Sequence, residues 1–150
     1  MLLEKDQNLE VAKRLRGLLG ASGTTVYMTR TEDVYLSNND RYTYANSVPG
    51  ADVLVSVHMN SAASDTTDYT TTLFGKWRKD KELAYAVWGG LKTLPAAIGG
   101  GYIRARDPYS FASGVLLKSN MPATIAETAF ISSSDEGPLL YAGRDDLTES

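Results

Sequence analysis

Three polar side chains stand at the ends of apolar segments, where they could reach a buried pocket. Glu4 precedes the first amphipathic segment, His58 ends the hydrophobic run of 51–58, and Glu127 closes the run ATIAE. A side chain at the carboxyl end of a buried strand points into the crevice where open α/β sheets bind ligands. An imidazole there can bind a metal or transfer a proton. A desolvated carboxylate has a raised pKa suited to proton transfer.

Each of these residues also has a structural interpretation. A lone histidine is more often a hydrogen-bonded structural residue than a ligand, and a glutamate such as Glu4 at a helix start is usually a partner of the helix dipole. Glu127 is harder to explain in this way because the apolar residues 129–131 follow it. A carboxylate in such surroundings must be desolvated or paired.

The elements that must position these side chains alternate along the chain. Apolar spacing of three and four predicts helices, and short β-branched runs predict strands. Alternation of this kind predicts an α/β fold with a mainly parallel, twisted sheet flanked by helices, in which the continuously apolar strand 52–57 is covered on both faces. The predicted helices are 6–19, 38–46 (capped by Ser37 with Asp40), 79–94 and a last one from Asp135, and the predicted strands are 24–29, 52–57, 71–74, 114–117 and 123–127.

Composition limits the remaining possibilities. The 150 residues suit a single domain (1–150), and a net charge of −3 gives no broad footprint for nucleic acid. The basic run of 76–81 is short, and we interpret it as a solvated helix entry rather than a binding patch. Without cysteine, any metal must be held by His, Asp or Glu. No apolar run could cross a bilayer, and the first residues do not resemble a secretory signal, so we expect no membrane insertion.

Four segments together resemble the zinc-dependent N-acetylmuramoyl-L-alanine amidases of the type-3 family. They occur in the order typical of that family and cover most of the chain. The segments are EKDQNLEVAKRLRGLL (4–19), TVYMTRTEDVYLSNNDRYTYAN (25–46), ADVLVSVHMNS (51–61) and MPATIAETAFISSSDE (121–136).

The resemblance implies a site and a substrate. It implies that Glu4 and His58 are zinc ligands and that Glu127 is the catalytic glutamate. The implied substrate is the amide between N-acetylmuramic acid and L-alanine in peptidoglycan. A protein that acts on this bond is expected in the cell envelope or outside the cell, or is a lysin encoded by a phage. The irregular stretch 95–113 is expected to line the groove for glycan and stem peptide, with Asn60, Arg104 and Arg106 as contacts. A solvated-loop interpretation of the two arginines stays open.

Family members also supply a zinc-binding histidine from a Gly-His-Gly-type motif on a strand shortly before the EKD segment. Because only three residues precede Glu4, we expect the fold to lack that strand. We also expect it to lack a final amphipathic helix, so that the fold is truncated at both ends. The two remaining ligands predict weak zinc binding. Two other functions stay open: a wall-binding or regulatory module with an impaired site, and a zinc hydrolase that cleaves another amide or peptide bond.

Overall fold

The structure, a computed structural model, describes residues 3–64, 66–76, 79–93, 104–134 and 136. Within these ranges helices and strands follow one another in the order α1 (Glu4–Ala21), α2 (Asn38–Ser47), β1 (Leu54–Asn60), β2 (Thr71–Phe74), α3 (Lys79–Leu91), β3 (Tyr109–Ser110), α4 (Gly114–Lys118) and β4 (Ala123–Phe130). Parts of the predicted loop 95–113 and the predicted helix from Asp135 lie outside the described residues.

The strands form one sheet in the order β1-β4-β2-β3. Strands β1 and β4 are parallel, as are β2 and β3, whereas β2 runs antiparallel to β4. The predicted α/β class is confirmed, and the sheet is mixed because β2 enters it in the opposite direction to its neighbour β4. The central strand β4 therefore carries Glu127 between β1 on one side and β2 on the other.

The half of the molecule around β2 and β4 is closely packed. Leu73, Leu116, Ala123 and Ile125 form a buried cluster between the sheet and α4. Gly75 permits this approach, because a Cβ atom there would lie only 2.7 Å from the Cβ atom of Leu116.

Buried threonines tie these strands to their neighbours through their hydroxyl groups. Each of four side chains donates to a main-chain carbonyl, which satisfies a polar atom that would otherwise be costly to bury. The bonds run from Thr70 to Glu127 (3.2 Å), from Thr71 to Asp107 (3.3 Å), from Thr72 to Ala84 (2.8 Å) and from Thr124 to Leu73 (2.9 Å).

A buried aspartate joins α3 to this half. Asp80 is 0% exposed and accepts hydrogen bonds from the backbone N–H groups of Lys76 (2.8 Å) and Ala123 (2.9 Å). The Lys76 ammonium group lies 3.6 Å from the same carboxylate and donates to the carbonyl of Met121. The first residue of β4 is thereby fixed to the start of α3. The basic run does mark a helix entry, but at Asp80 that entry is buried rather than solvated.

The half around α1 and β1 is more open. A groove of about 940 Å³ lies between α1, the segment 23–30, α2 and β1. The apolar stripe predicted for α1 is buried at Leu9, but Leu18 is 72% exposed. Among the described residues β1 pairs only with β4, so it is an edge strand, and most of it is half-buried. The prediction that this strand is covered on both faces was wrong.

Two further strand predictions were wrong. Residues 24–29 form no strand, because no described strand lies beside them to complete a ladder, and they line the groove instead. Residues 114–117 belong to the helix α4, since a short apolar run fits a buried helix as well as a strand. The local signal of Ser37 and Asp40 was sufficient for α2, where the predicted cap is confirmed as a full capping box.

No helix in the described ranges is both long and apolar enough to span a bilayer.

Candidate active site

Strand pairing places the predicted histidine beside the predicted catalytic glutamate. The parallel ladder of β1 and β4 sets His58 opposite Glu127, and paired residues project from the same face of a sheet. Two threonines fix this point of the ladder, since Thr128 donates to the carbonyl of His58 and Thr70 donates to that of Glu127, both at 3.2 Å. The register then shifts between His58 and Asn60, as in a β-bulge.

The start of α1 brings Glu4 to the same point. Its Oε1 atom lies 3.0 Å from Nδ1 of His58 and accepts a second hydrogen bond from Nδ2 of Asn8 at 3.1 Å, one turn further along the helix. The hydrogen bond from His58 lowers the pKa of Glu4, against an opposing effect of burial. Glu4 and His58 are each about two-fifths exposed, with 40% and 37% of their side chains accessible, so an ion and a substrate could reach both.

Glu127 lies in a less polar environment than Glu4. Burial raises the pKa of its carboxyl group; the neighbouring His58 opposes that effect and the negative charge of Glu4 adds to it. Its Oε2 atom is shielded from solvent and accepts no hydrogen bond from the described residues. An unpartnered carboxylate oxygen with a raised pKa is suited to take up and release a proton.

Residues that the sequence did not single out hold the start of α1 in place. The Arg30 guanidinium donates to the carbonyl of Lys5, and the Lys5 ammonium group pairs with Asp33. The segment TRTED therefore fastens the residue next to Glu4. Only the family resemblance of that segment signalled its importance, because contacts over 25 and 28 residues leave no local pattern.

A second polar group borders the site on the far side of Glu127. The Arg106 guanidinium carbon lies 4.5 Å from the ring centre of Tyr109 and 5.2 Å from that of Tyr69, whose hydroxyl accepts a hydrogen bond from it at 3.1 Å. Burial raises the pKa of Tyr109; the charges of Tyr69 and Glu127 also raise it, whereas Arg106 lowers it. We call Tyr69, Arg106 and Tyr109 the tyrosine–arginine cluster.

Asn60 and Arg104, the other two predicted substrate contacts, form contacts with neighbouring residues of the protein. The Asn60 side chain accepts a hydrogen bond from the N–H of Ser61 at 2.9 Å. Arg104 is 83% exposed and its Nε atom lies 3.7 Å from a carboxylate oxygen of Asp68. Neither contact brings these side chains to Glu4 or His58.

The donor set fits part of a zinc site. Carboxylate oxygen and imidazole nitrogen are ordinary zinc ligands, and catalytic zinc takes three protein ligands and a water. In the described ranges no group of three His, Asp or Glu side chains could hold a metal. His58 is the only histidine of the chain, so Glu4 and His58 account for two positions.

Comparison with known proteins shows the family of this chain. The model of the family described as N-acetylmuramoyl-L-alanine amidase (Amidase_3) matches residues 1–146. The N-acetylmuramoyl-L-alanine amidase LytC of Bacillus subtilis is 32% identical over 93% of this chain, and the match spans only 27% of LytC.

Two solved structures share the fold. The N-acetylmuramoyl-L-alanine amidase of Clostridium difficile 630 superposes with a TM-score of 0.81 at 33% identity, over 93% of this chain and 74% of that one. AmiC2 of Nostoc punctiforme gives a TM-score of 0.83 at 26% identity, with the same coverage. The chain thus belongs to the Amidase_3 family of N-acetylmuramoyl-L-alanine amidases.

Proposed function

We propose that this chain is the amidase unit of a zinc-dependent peptidoglycan hydrolase that cleaves the bond between N-acetylmuramic acid and L-alanine, and that it acts at the cell wall. The observation that carries the proposal is the row formed by Glu4, His58 and Glu127, in which two ligand-type groups touch one another and an unpartnered carboxylate lies beside them. Family membership supplies the substrate.

Glu127 is the proton-transfer group in this scheme. Its carboxylate takes a proton from the water that attacks the amide carbon and returns it to the departing amine of L-alanine. Glu4 and His58 would hold the metal, with Asn8 orienting the Glu4 carboxylate. Bound zinc supplies a water of lowered pKa and polarises the amide carbonyl. Because the described residues supply only these two, a third protein ligand would have to lie outside them.

The reaction is tested with purified peptidoglycan and zinc, using the chain within its full-length protein. We expect release of stem peptides with a free L-alanine amino terminus from an intact glycan, detected by mass spectrometry. Glu127→Gln should lower the rate by at least about 100-fold, whereas Glu82→Gln, on the exposed face of α3, should leave it unchanged. New reducing ends or cleavage inside the stem peptide would show that another bond is attacked.

Metal binding is tested separately by titration calorimetry. His58→Ala and Glu4→Ala should each weaken zinc binding by at least about 10-fold, because each removes one ligand. Unchanged zinc affinity in both variants would contradict the ligand assignment, whatever the activity.

The two-ligand set among the described residues favours one alternative, a wall-binding module with an impaired metal site. In that case the protein would sediment with insoluble peptidoglycan equally well with and without chelator, and would release no peptide.

A further inference from the structure

We propose that Arg106, held between the rings of Tyr69 and Tyr109, binds the free carboxylate on the second residue of the stem peptide and so positions the scissile amide at Glu127. This inference rests on the proposed function, because it assigns a substrate contact to the same site. It is carried by the construction of the tyrosine–arginine cluster, by the charge of Arg106 and by its distance from Glu127.

The cluster is fastened to the packed half of the molecule. The Tyr69 ring meets the fully buried Phe130 edge-on, with ring centres 4.7 Å apart. Tyr109 is fixed by its ladder pairing with Leu73 in β2. The Arg106 backbone N–H donates to the carbonyl of Thr70 at 2.9 Å. A guanidinium that contacts two anchored rings loses little conformational freedom when it binds a ligand.

The charge of Arg106 is not neutralised by the described part of the chain. Its nearby counterpart Arg104 pairs with Asp68, but Arg106 has no ion pair with any residue that the structure describes. One of its terminal nitrogens donates to the Tyr69 hydroxyl, which leaves further N–H groups of the fork for a ligand. A planar fork of this kind matches a carboxylate in two-point geometry.

The occupied ring faces favour a carboxylate over a sugar. Tyrosine rings in a wall hydrolase could stack on glycan, but here the guanidinium covers one face of each ring. A sugar stacked on those faces would displace a favourable cation–π contact, whereas a carboxylate binds to the outer edge of the guanidinium without disturbing it.

The separation between Arg106 and Glu127 fits a contact with the second residue of the stem peptide. Arg106 precedes β3, which is two strand positions from β4, or about 10 Å from Glu127 at normal strand spacing. Two extended peptide residues reach about 7 Å, and the arginine side chain covers the remainder. Tyr109 lies near both groups: its ring centre is 4.5 Å from the Arg106 guanidinium carbon, and the charge of Glu127 helps to raise the pKa of its hydroxyl.

The test measures binding rather than cleavage, so that it is independent of the metal. The ligands are the tripeptide L-Ala-γ-D-Glu-L-Lys and its twin in which the glutamate α-carboxylate is an amide, both with an amidated C-terminus. NMR titration of the full-length protein detects affinities down to the millimolar range. We expect the wild type to bind the carboxylate form at least about 10-fold more tightly, a difference of about 1.4 kcal/mol.

Three variants test which residue causes the preference for the carboxylate ligand. Arg106→Gln should remove it, Arg104→Gln should keep it, and Tyr69→Phe should reduce it in part because the ring stays and the hydroxyl is lost. Equal binding of the two ligands by the wild type, including binding of neither, overturns the proposal, as does a preference that survives Arg106→Gln. If the protein prefers the carboxylate ligand but does not cleave peptidoglycan, the proposed function is refuted while the contact with Arg106 is supported.

Discussion

The two halves of the sheet differ in how they are covered. Around β2 and β4 the side chains are buried on both faces, and every threonine hydroxyl described above has a main-chain acceptor. Around β1 and α1 the strand is half-buried and the helix borders an open groove. The candidate site lies on the boundary, with Glu127 on the packed strand and Glu4 and His58 on the open side. The carboxylate proposed for proton transfer is thus fixed by the core, whereas the proposed ligand pair depends on contacts that solvent reaches.

The largest expected effect that tests this contrast is at Asp80. Asp80→Ala leaves the N–H groups of Lys76 and Ala123 without an acceptor, and an unsatisfied buried donor costs about 1–3 kcal/mol. We expect a loss of about 3 kcal/mol in the free energy of unfolding, measured by urea denaturation with circular dichroism. Asp80→Asn keeps one acceptor oxygen and should lose less. A loss below about 1 kcal/mol for Asp80→Ala would mean that the packed half does not depend on this anchor.

A matched pair of leucines compares the halves directly. Leu116 is 0% exposed in the packed cluster, whereas Leu15 on α1 is 36% exposed beside the groove. Leu116→Ala should lower the free energy of unfolding by about 3 kcal/mol through the cavity it leaves, and Leu15→Ala by about 1 kcal/mol or less. Equal losses in the same urea experiment would show that the groove is closed in solution and the contrast is wrong.

The smallest expected effect is at the cap of α2, which borders the groove. Ser37→Ala should cost about 1 kcal/mol. The hydrogen bond from Ser37 lowers the pKa of Asp40, so the folded state favours the charged carboxylate. That part of the stability is present above the ordinary pKa of aspartate and is lost as the pH falls through the lowered pKa of Asp40. The difference between wild type and variant should therefore shrink in acid, and a difference independent of pH would exclude the carboxylate from the cap.

Local signals explain which predictions from sequence succeeded. The Ser37 and Asp40 cap, the spacing in α1 and α3 and the strand 71–74 each depend on neighbouring residues, and they were predicted correctly. The strand predicted at 24–29 needs a partner from elsewhere in the chain, and the run at 114–117 packs as a helix with Leu116 beside Gly75. Sequence pattern alone reports neither.

In the candidate site, too, the features that depend on local sequence were predictable and the long-range contacts were not. Glu127 was recognisable as a carboxylate inside an apolar run, but the contact between Glu4 and His58 spans 54 residues and was expected only through the family resemblance. Arg104 and Arg106 are indistinguishable in sequence. Only the structure pairs the first with Asp68 and places the second between two tyrosine rings.

The buried threonines have a consequence for how this protein can change. A strand that slipped by one residue would turn these hydroxyls to the opposite face and separate each from its carbonyl acceptor, so intermediate arrangements are penalised. In the ladder of β1 and β4 the same kind of bond runs from Thr128 to the carbonyl of His58, so a slip of one residue there would break it and move His58 away from Glu127. The proposed contact at Arg106 is less constrained in this way, because its side chain is held by ring contacts and one side-chain hydrogen bond rather than by a strand ladder.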